Sequence, residues 1–170
     1  MLRQWFIVVL IVLPFILNIG CSKHPKGFPK LYPCSIALTK NGKPLHNVCV
    51  LLKNETVQGT WGISGTTDIS GTAIIVTSLG EYIGKGIPNG EYIVSLDEII
   101  HPPNGKTKEE IGKLPEEELY KYIAEEAKMI DALRIIPKEF SDSNKSPLKI
   151  AVKANSNNKI IINLDDYTKP

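Results

Sequence analysis

Residues 34–52 read CSIALTKNGKPLHNVCVLL, and the fold class turns on them. Cys34, Ile36 and Leu38 alternate with Ser35, Ala37 and Thr39, the period of a half-buried strand. Asn41-Gly42-Lys43-Pro44 then turns the chain, with Gly42 suited to a positive φ and Pro44 fixing the exit. The alternation resumes with Val48, Val50 and Leu52 on one face and Asn47, Cys49 and Leu51 on the other. Working outward, similar short runs predict strands at 59–65, 71–77, 91–97, 148–153 and 158–164. Eight glycines between Gly59 and Gly90 suit tight turns and bends better than helices. Seven short strands between Gly, Pro and Asn turns indicate a mainly β sandwich or barrel.

One helix interrupts this pattern, as an insertion near 107–134. Pro115 suits a first helical position, and Glu116, Glu117 and Glu118 favour the positive end of the helix dipole. Leu119, Ile123, Ala127, Ile130 and Leu133 recur at helical spacing and make one apolar stripe. Pro137 bars continuation. The stripe is expected to pack on a sheet face or edge; a partner-binding helix is the alternative.

The N-terminal end reads as an address. Fifteen of the first twenty residues are apolar, Arg3 is the only charge before Ser22, and the run closes on Leu17-Asn18-Ile19-Gly20-Cys21. A transmembrane helix needs about 20 predominantly apolar residues, more than this compact core supplies. A short basic start, a brief apolar core and a small residue before the cut describe a secretory signal peptide over 1–20. Residues 22–33, SKHPKGFPKLYP, combine three prolines with three lysines and are expected to form a stiff, solvated tether. Lys+Arg 20 against Asp+Glu 18 is too balanced for a nucleic-acid binder, which needs a basic face.

Three sets of residues carry resemblances. Gly20-Cys21 is similar to the bacterial lipobox, which implies cleavage after Gly20 and lipid attachment at Cys21. The acyl chains would hold the protein to a membrane, each buried methylene contributing about 0.8 kcal/mol. Ser22 in place of an acidic residue favours the outer membrane. The segments 38–50, 65–73 (GTTDISGTA) and 87–94 (IPNGEYIV) resemble, in order, the strand and turn signatures of carboxypeptidase regulatory-like, transthyretin-like domains. That resemblance implies a seven-stranded, immunoglobulin-like sandwich over 34–166, with Asp68, Gly71, Gly90 and Tyr92 as fold determinants. It also implies a non-catalytic structural or binding module of the cell envelope, with an envelope protein or glycan as partner. A related fold serves 5-hydroxyisourate hydrolase, but that family's closing Tyr-Arg-Gly-Ser motif is absent from the end Leu164-Asp165-Asp166-Tyr167-Thr168-Lys169-Pro170.

Chemistry-bearing residues are sparse. His24, His46 and His101 form no metal-binding spacing, and neither a metal nor a cofactor is expected. Ser64 and Ser70 have no histidine placed by sequence to activate them, and Gly84-Lys85-Gly86 lacks the strand-to-helix context of a phosphate loop. No enzymatic activity is expected. Asp97-Glu98 and Asp165-Asp166 are expected to be solvated at strand ends. Trp61, with Tyr82, is the candidate aromatic platform for a carbohydrate or peptide, although its parity with Ile63 and Gly65 suits a core position better. Cys34 and Cys49 remain once Cys21 is lipidated. An oxidising compartment invites a disulfide between them. Parity opposes it, because Cys34 shares a face with Ile36 whereas Cys49 opposes Val48 and Val50.

Overall fold

The alternation in residues 34–40 becomes β1 (Cys34–Lys40), with Cys34, Ile36 and Leu38 buried and their neighbours half-buried. The computed structural model describes residues 27–54, 61–102 and 105–167, so the signal run, Gly20, Cys21 and His24 lie outside the described residues. Asn41 and Gly42 both take positive φ, 52° and 69°. This is the backbone of a type I′ hairpin turn, whose twist matches the strands it joins. The turn leads into β2 (Lys43–Pro44), only two residues long, because Pro44 has no N–H to offer a ladder. β3 (Val48–Asn54) then buries Val48, Val50 and Leu52. The remaining strands are β4 (Gly62–Thr66), β5 (Thr72–Ile74), β6 (Val76–Leu79), β7 (Tyr82–Lys85), β8 (Gly90–Glu98), β9 (Lys149–Val152) and β10 (Asn158–Asn163).

Two sheets face each other. The larger is antiparallel in the order β7-β6-β4-β3-β8-β9. In the smaller, β1 runs parallel to β10, with Cys34 opposite Asn158 and Thr39 opposite Asn163. Its other edge pairs antiparallel with β5 and β2. Between the sheets lie Ile36 and Leu38 from β1, Val48 and Val50 from β3, Tyr92, Val94 and Leu96 from β8, and Ile75, Ile87, Ile162 and Leu164. Each such aliphatic or aromatic side chain contributes about 1.5–3 kcal/mol when fully buried.

The described residues hold ten strands where the sequence predicts seven. The run 71–77 is two strands in different sheets: β5 pairs with β1, and β6 pairs with β4 and β7. The chain crosses at Ile75, whose N–H donates to Cys34 O in one sheet while its carbonyl accepts from Gly86 N–H, just beyond β7, in the other. β2 and β7 are too short to announce themselves by alternation. Within the stretch expected to be a solvated tether, the described residues 27–33 instead hold Phe28, Leu31 and Tyr32 half-buried. Tyr32 and Ile87 exchange both backbone hydrogen bonds, at 2.9 and 3.0 Å, so sheet-like pairing begins ahead of β1.

The insertion joins β8 to its antiparallel neighbour β9. It contains α1 (Lys108–Ile111), opened by a Thr107–Glu110 capping box, and α2 (Glu116–Leu133), which begins after Pro115. The bounds agree with the proline and glutamate signals; the packing does not. No residue of α2 is buried, and Ile123 and Leu133 are 50% and 46% exposed. Among the described residues no strand packs extensively along α2. The apolar cover over β8 comes instead from the 3₁₀ turn at Lys138–Ser141, which buries Phe140, and from Ile136. These residues lie beyond the helix, so the core is closed without its stripe.

Candidate binding surfaces

Trp61 and Tyr82 each meet a third aromatic, Phe28. Tyr82 stands on β7 and Trp61 immediately before β4. Phe28, from the proline-rich stretch, meets Tyr82 edge-on with centroids 4.6 Å apart and Trp61 at 6.4 Å. Leu31 lies against Gly84, where any side chain would collide with it. Trp61 is half-buried and packs on the core. Phe28 therefore stands against both predicted platform residues. Its own signal is faint, since a lone phenylalanine among prolines and lysines carries no periodicity.

Cys34 and Cys49 are both free thiols. Cys34 points into the core from the smaller sheet, while Cys49 stands opposite Thr66 and Asp97 in the larger one, on the face away from Val48 and Val50. The sulfurs thus occupy different sheets and opposite sides of a layer, so no disulfide joins them. Burial pushes the Cys34 thiol up to about 11. Burial raises Cys49 as well, with the Asp97 carboxylate adding to it.

Asp97, Asp165 and Asp166 are exposed and Glu98 is half-buried, and members of both pairs also make contacts within the fold. Glu98 Oε2 accepts the N–H groups of Ile135 and Ile136, both at 2.8 Å. Asp97 meets Arg134 Nη1 at 3.4 Å. Asp165 Oδ2 accepts Asn41 N–H at 2.7 Å, fastening the β1–β2 turn to the chain's last strand region. Asp68 Oδ1 accepts Ser70 Oγ–H, Ser70 N–H and Thr72 N–H. Those bonds, the Ser70 side chain first, hold the Asp68 carboxyl below its ordinary value. Ser70 is thereby committed to the turn. Tyr92 is buried, and its hydroxyl donates to Pro88 O at 2.9 Å. Burial is the main cause of its raised pKa.

A groove of about 440 Å³ runs beside the root of the insertion, lined by Lys40, Leu45, His46, Ile99, Leu133 and Ile135. The Lys40 ammonium donates to Ile135 O at 2.6 Å, so it closes one wall. His46 and His101 are both exposed. Among the described residues no three His, Cys, Asp or Glu side chains gather as metal ligands would, and no helix is long and apolar enough to cross a membrane.

The sharpest surface feature is α2 itself. Tyr120, Ile123, Met129 and Leu133 are exposed on it, and its root is clamped to the sandwich by Glu98 and Lys40. Sequence spacing gives the stripe; only the fold reveals that Leu119 and Ile130 are half-buried while Ile123, Ala127 and Leu133 are left exposed among the described residues. Comparison with protein-family models, curated proteins and solved structures finds no match to this chain.

Proposed function

We propose that this chain is a non-catalytic bacterial lipoprotein, anchored to a membrane through Cys21, whose sandwich presents a binding arm in the cell envelope. The apolar run ending in Gly20-Cys21 supports export and lipid attachment, with the outer membrane favoured by Ser22. The ordered motifs in 38–50, 65–73 and 87–94 support a carboxypeptidase regulatory-like, transthyretin-like assignment for the sandwich. The observation that carries the binding role is the exposed apolar side of α2, held on a clamped root. A helix that contributes nothing to its own core and still spends apolar residues on one side is built for contact with something else. A protein partner suits that surface. A glycan on Trp61 and Tyr82 would first require Phe28 to leave.

The test uses the full chain in a bacterial host, labelled with an alkyne palmitate and carrying a photo-cross-linker at position 123 or 161. The expected result is label that disappears with Cys21→Ala, release of that variant from membranes, and discrete adducts at 123 but not at 161. Unlabelled, freely soluble wild-type chain would sink the anchor. Adducts absent from 123 would sink the binding arm.

A further inference from the structure

Building on that binding role, we propose that the uncovered side of α2 docks a cationic, apolar-faced helical segment of a partner protein. The stripe on α2 is divided lengthwise. One flank is covered by the incoming loop: Lys106 N–H donates to Tyr122 Oη at 2.9 Å, and Tyr122 Oη–H donates to Glu126 Oε1 at 3.0 Å. The Lys106 ammonium lies 5.9 Å from the Tyr122 ring centroid. The other flank is open, with Tyr120 66% and Ile123 50% exposed and Ala127 exposed beyond them.

Charge selects the occupant. Surface neighbours on a helix stand three or four residues apart. At those offsets from Tyr120, Ile123 and Ala127, the charged residues are Glu116, Glu117, Glu126 and Asp131, every one acidic. Lys121 and Lys128 fall outside those offsets. Along the whole of α2 six carboxylates, at 116, 117, 118, 125, 126 and 131, oppose these two lysines. A second copy of α2 would bring six more carboxylates against the same border, and an anionic membrane surface would be repelled in the same way. A helix with aliphatic side chains on one face and Lys or Arg beside them meets both demands: the apolar side chains cover Ile123 and Ala127, and the cations meet the bordering acids. Asp131 is already met by the Lys138 ammonium at 2.6 Å, so the partner's cations fall to Glu116, Glu117 and Glu126.

The experiment places the full chain in nanodiscs of zwitterionic lipid and titrates two fluorescent helical peptides, with empty nanodiscs as the blank. Both peptides match α2 in length and carry leucines on one face; one is flanked by lysines, and its twin has glutamate at each lysine. The lysine peptide is expected to bind and to weaken as salt rises. Ile123→Glu is expected to weaken it by about ten-fold or more. Glu116→Lys with Glu117→Lys is expected to reverse the preference towards the glutamate twin, while Ile161→Glu leaves binding unchanged. Helix content by circular dichroism separates lost binding from lost folding.

Equal binding of both peptides, or lysine-peptide binding indifferent to Ile123→Glu, overturns the proposal. Preference for the glutamate twin, lost in Ile123→Glu, also overturns the cationic partner while leaving a binding arm in place. Self-association abolished by Ile123→Glu assigns the strip to a second copy and overturns the proposal too. Adducts at 123 in cells are read independently, so failure of the peptide pair and failure of the binding role give different results.

Discussion

Glu98 and Ile136 are joined across 38 positions of sequence by a 2.8 Å hydrogen bond from the Ile136 N–H to Glu98 Oε2, and the same oxygen takes the Ile135 N–H at 2.8 Å. One carboxylate at the end of β8 thus fixes the place where the insertion returns. Beyond it Ile136 and Phe140 enter the core; before it α2 stands outside. Hydrogen bonds to a charged group contribute about 1.5–3 kcal/mol each, less where water competes. Glu98→Ala is expected to cost about 2 kcal/mol of stability and to raise amide exchange at 135 and 136. Glu98→Gln should recover part of both. Unchanged exchange at those amides would refute the clamp.

Gly71 is the second sensitive point. Its φ is +74°, and a side chain there would stand 2.8 Å from Leu38 O and from Pro44 Cβ. Gly71→Ala therefore combines a left-handed backbone with a collision against β1's own carbonyl, and a loss of about 2–3 kcal/mol is expected in denaturant melts. Gly80→Ala, at φ +57° with open space around it, should cost only the backbone part, about 1 kcal/mol. Equal losses in the two variants would show that the close approach at Gly71 does not matter.

Cys34 gives an alkaline limb to stability. Its folded value near 11 lies above the ordinary 9.0, so between those values the unfolded chain has released a proton that the folded chain retains. Stability contributed by the buried neutral thiol is complete below pH 9.0 and falls as pH rises towards about 11. Cys34→Ala should flatten that limb, though it opens a small cavity. In native chain Cys49 is expected to react with iodoacetamide before Cys34, and both should react together in guanidinium. Rapid native labelling of Cys34 would contradict its burial.

Asp68 gives the opposite sign at low pH. Its carboxyl is held below 3.8 mainly by the Ser70 hydroxyl, with the Thr72 and Ser70 amides assisting. Its contribution is present above the ordinary aspartate value and is lost as pH falls through the folded value. Melts of wild type and Asp68→Asn should differ most near neutrality and converge under acid. A difference that persists unchanged at low pH would exclude an ionised Asp68 as the cause.

Phe28 predicts an optical change. With Trp5 replaced by Phe, Trp61 becomes the only tryptophan of the chain. Removing the edge-on ring with Phe28→Ala should shift its emission to the red and raise quenching by acrylamide. If Trp61 and Tyr82 form a sugar platform once uncovered, this variant should bind oligosaccharides that wild type does not. An unshifted spectrum would show that Phe28 does not shield Trp61.

What the sequence discloses depends on how locally each feature is determined. Alternation around Ile36 and Val50 fixes inward faces because a strand has a period of two whatever it pairs with. Pro115 and Pro137 bracket α2 for equally local reasons. The split at Ile75 is different: 71–77 alternates as one strand, and only its two sets of partners divide it. The stripe Leu119, Ile123, Ala127, Ile130 and Leu133 likewise reports that α2 has an apolar side, never what stands against it. Phe28 and Glu98 escape for the same reason, since their partners lie 33 to 54 and 37 to 38 positions away.

The parallel pairing of β1 with β10 has a mechanical consequence. Tension applied between Pro33 and the far end of β10 runs along the axis of these parallel strands, and the rungs from Cys34–Asn158 to Thr39–Asn163 lie across that line. They are loaded together in shear instead of being unzipped one at a time, and the rungs to β5 and β2 share the load on the other edge. A protein pulled from its N-terminal end therefore resists through the middle strand of its smaller sheet. In single-molecule extension that direction should require more force than pulling from the root of α2, where the clamp is a few side-chain contacts from Glu98, Asp97 and Lys40.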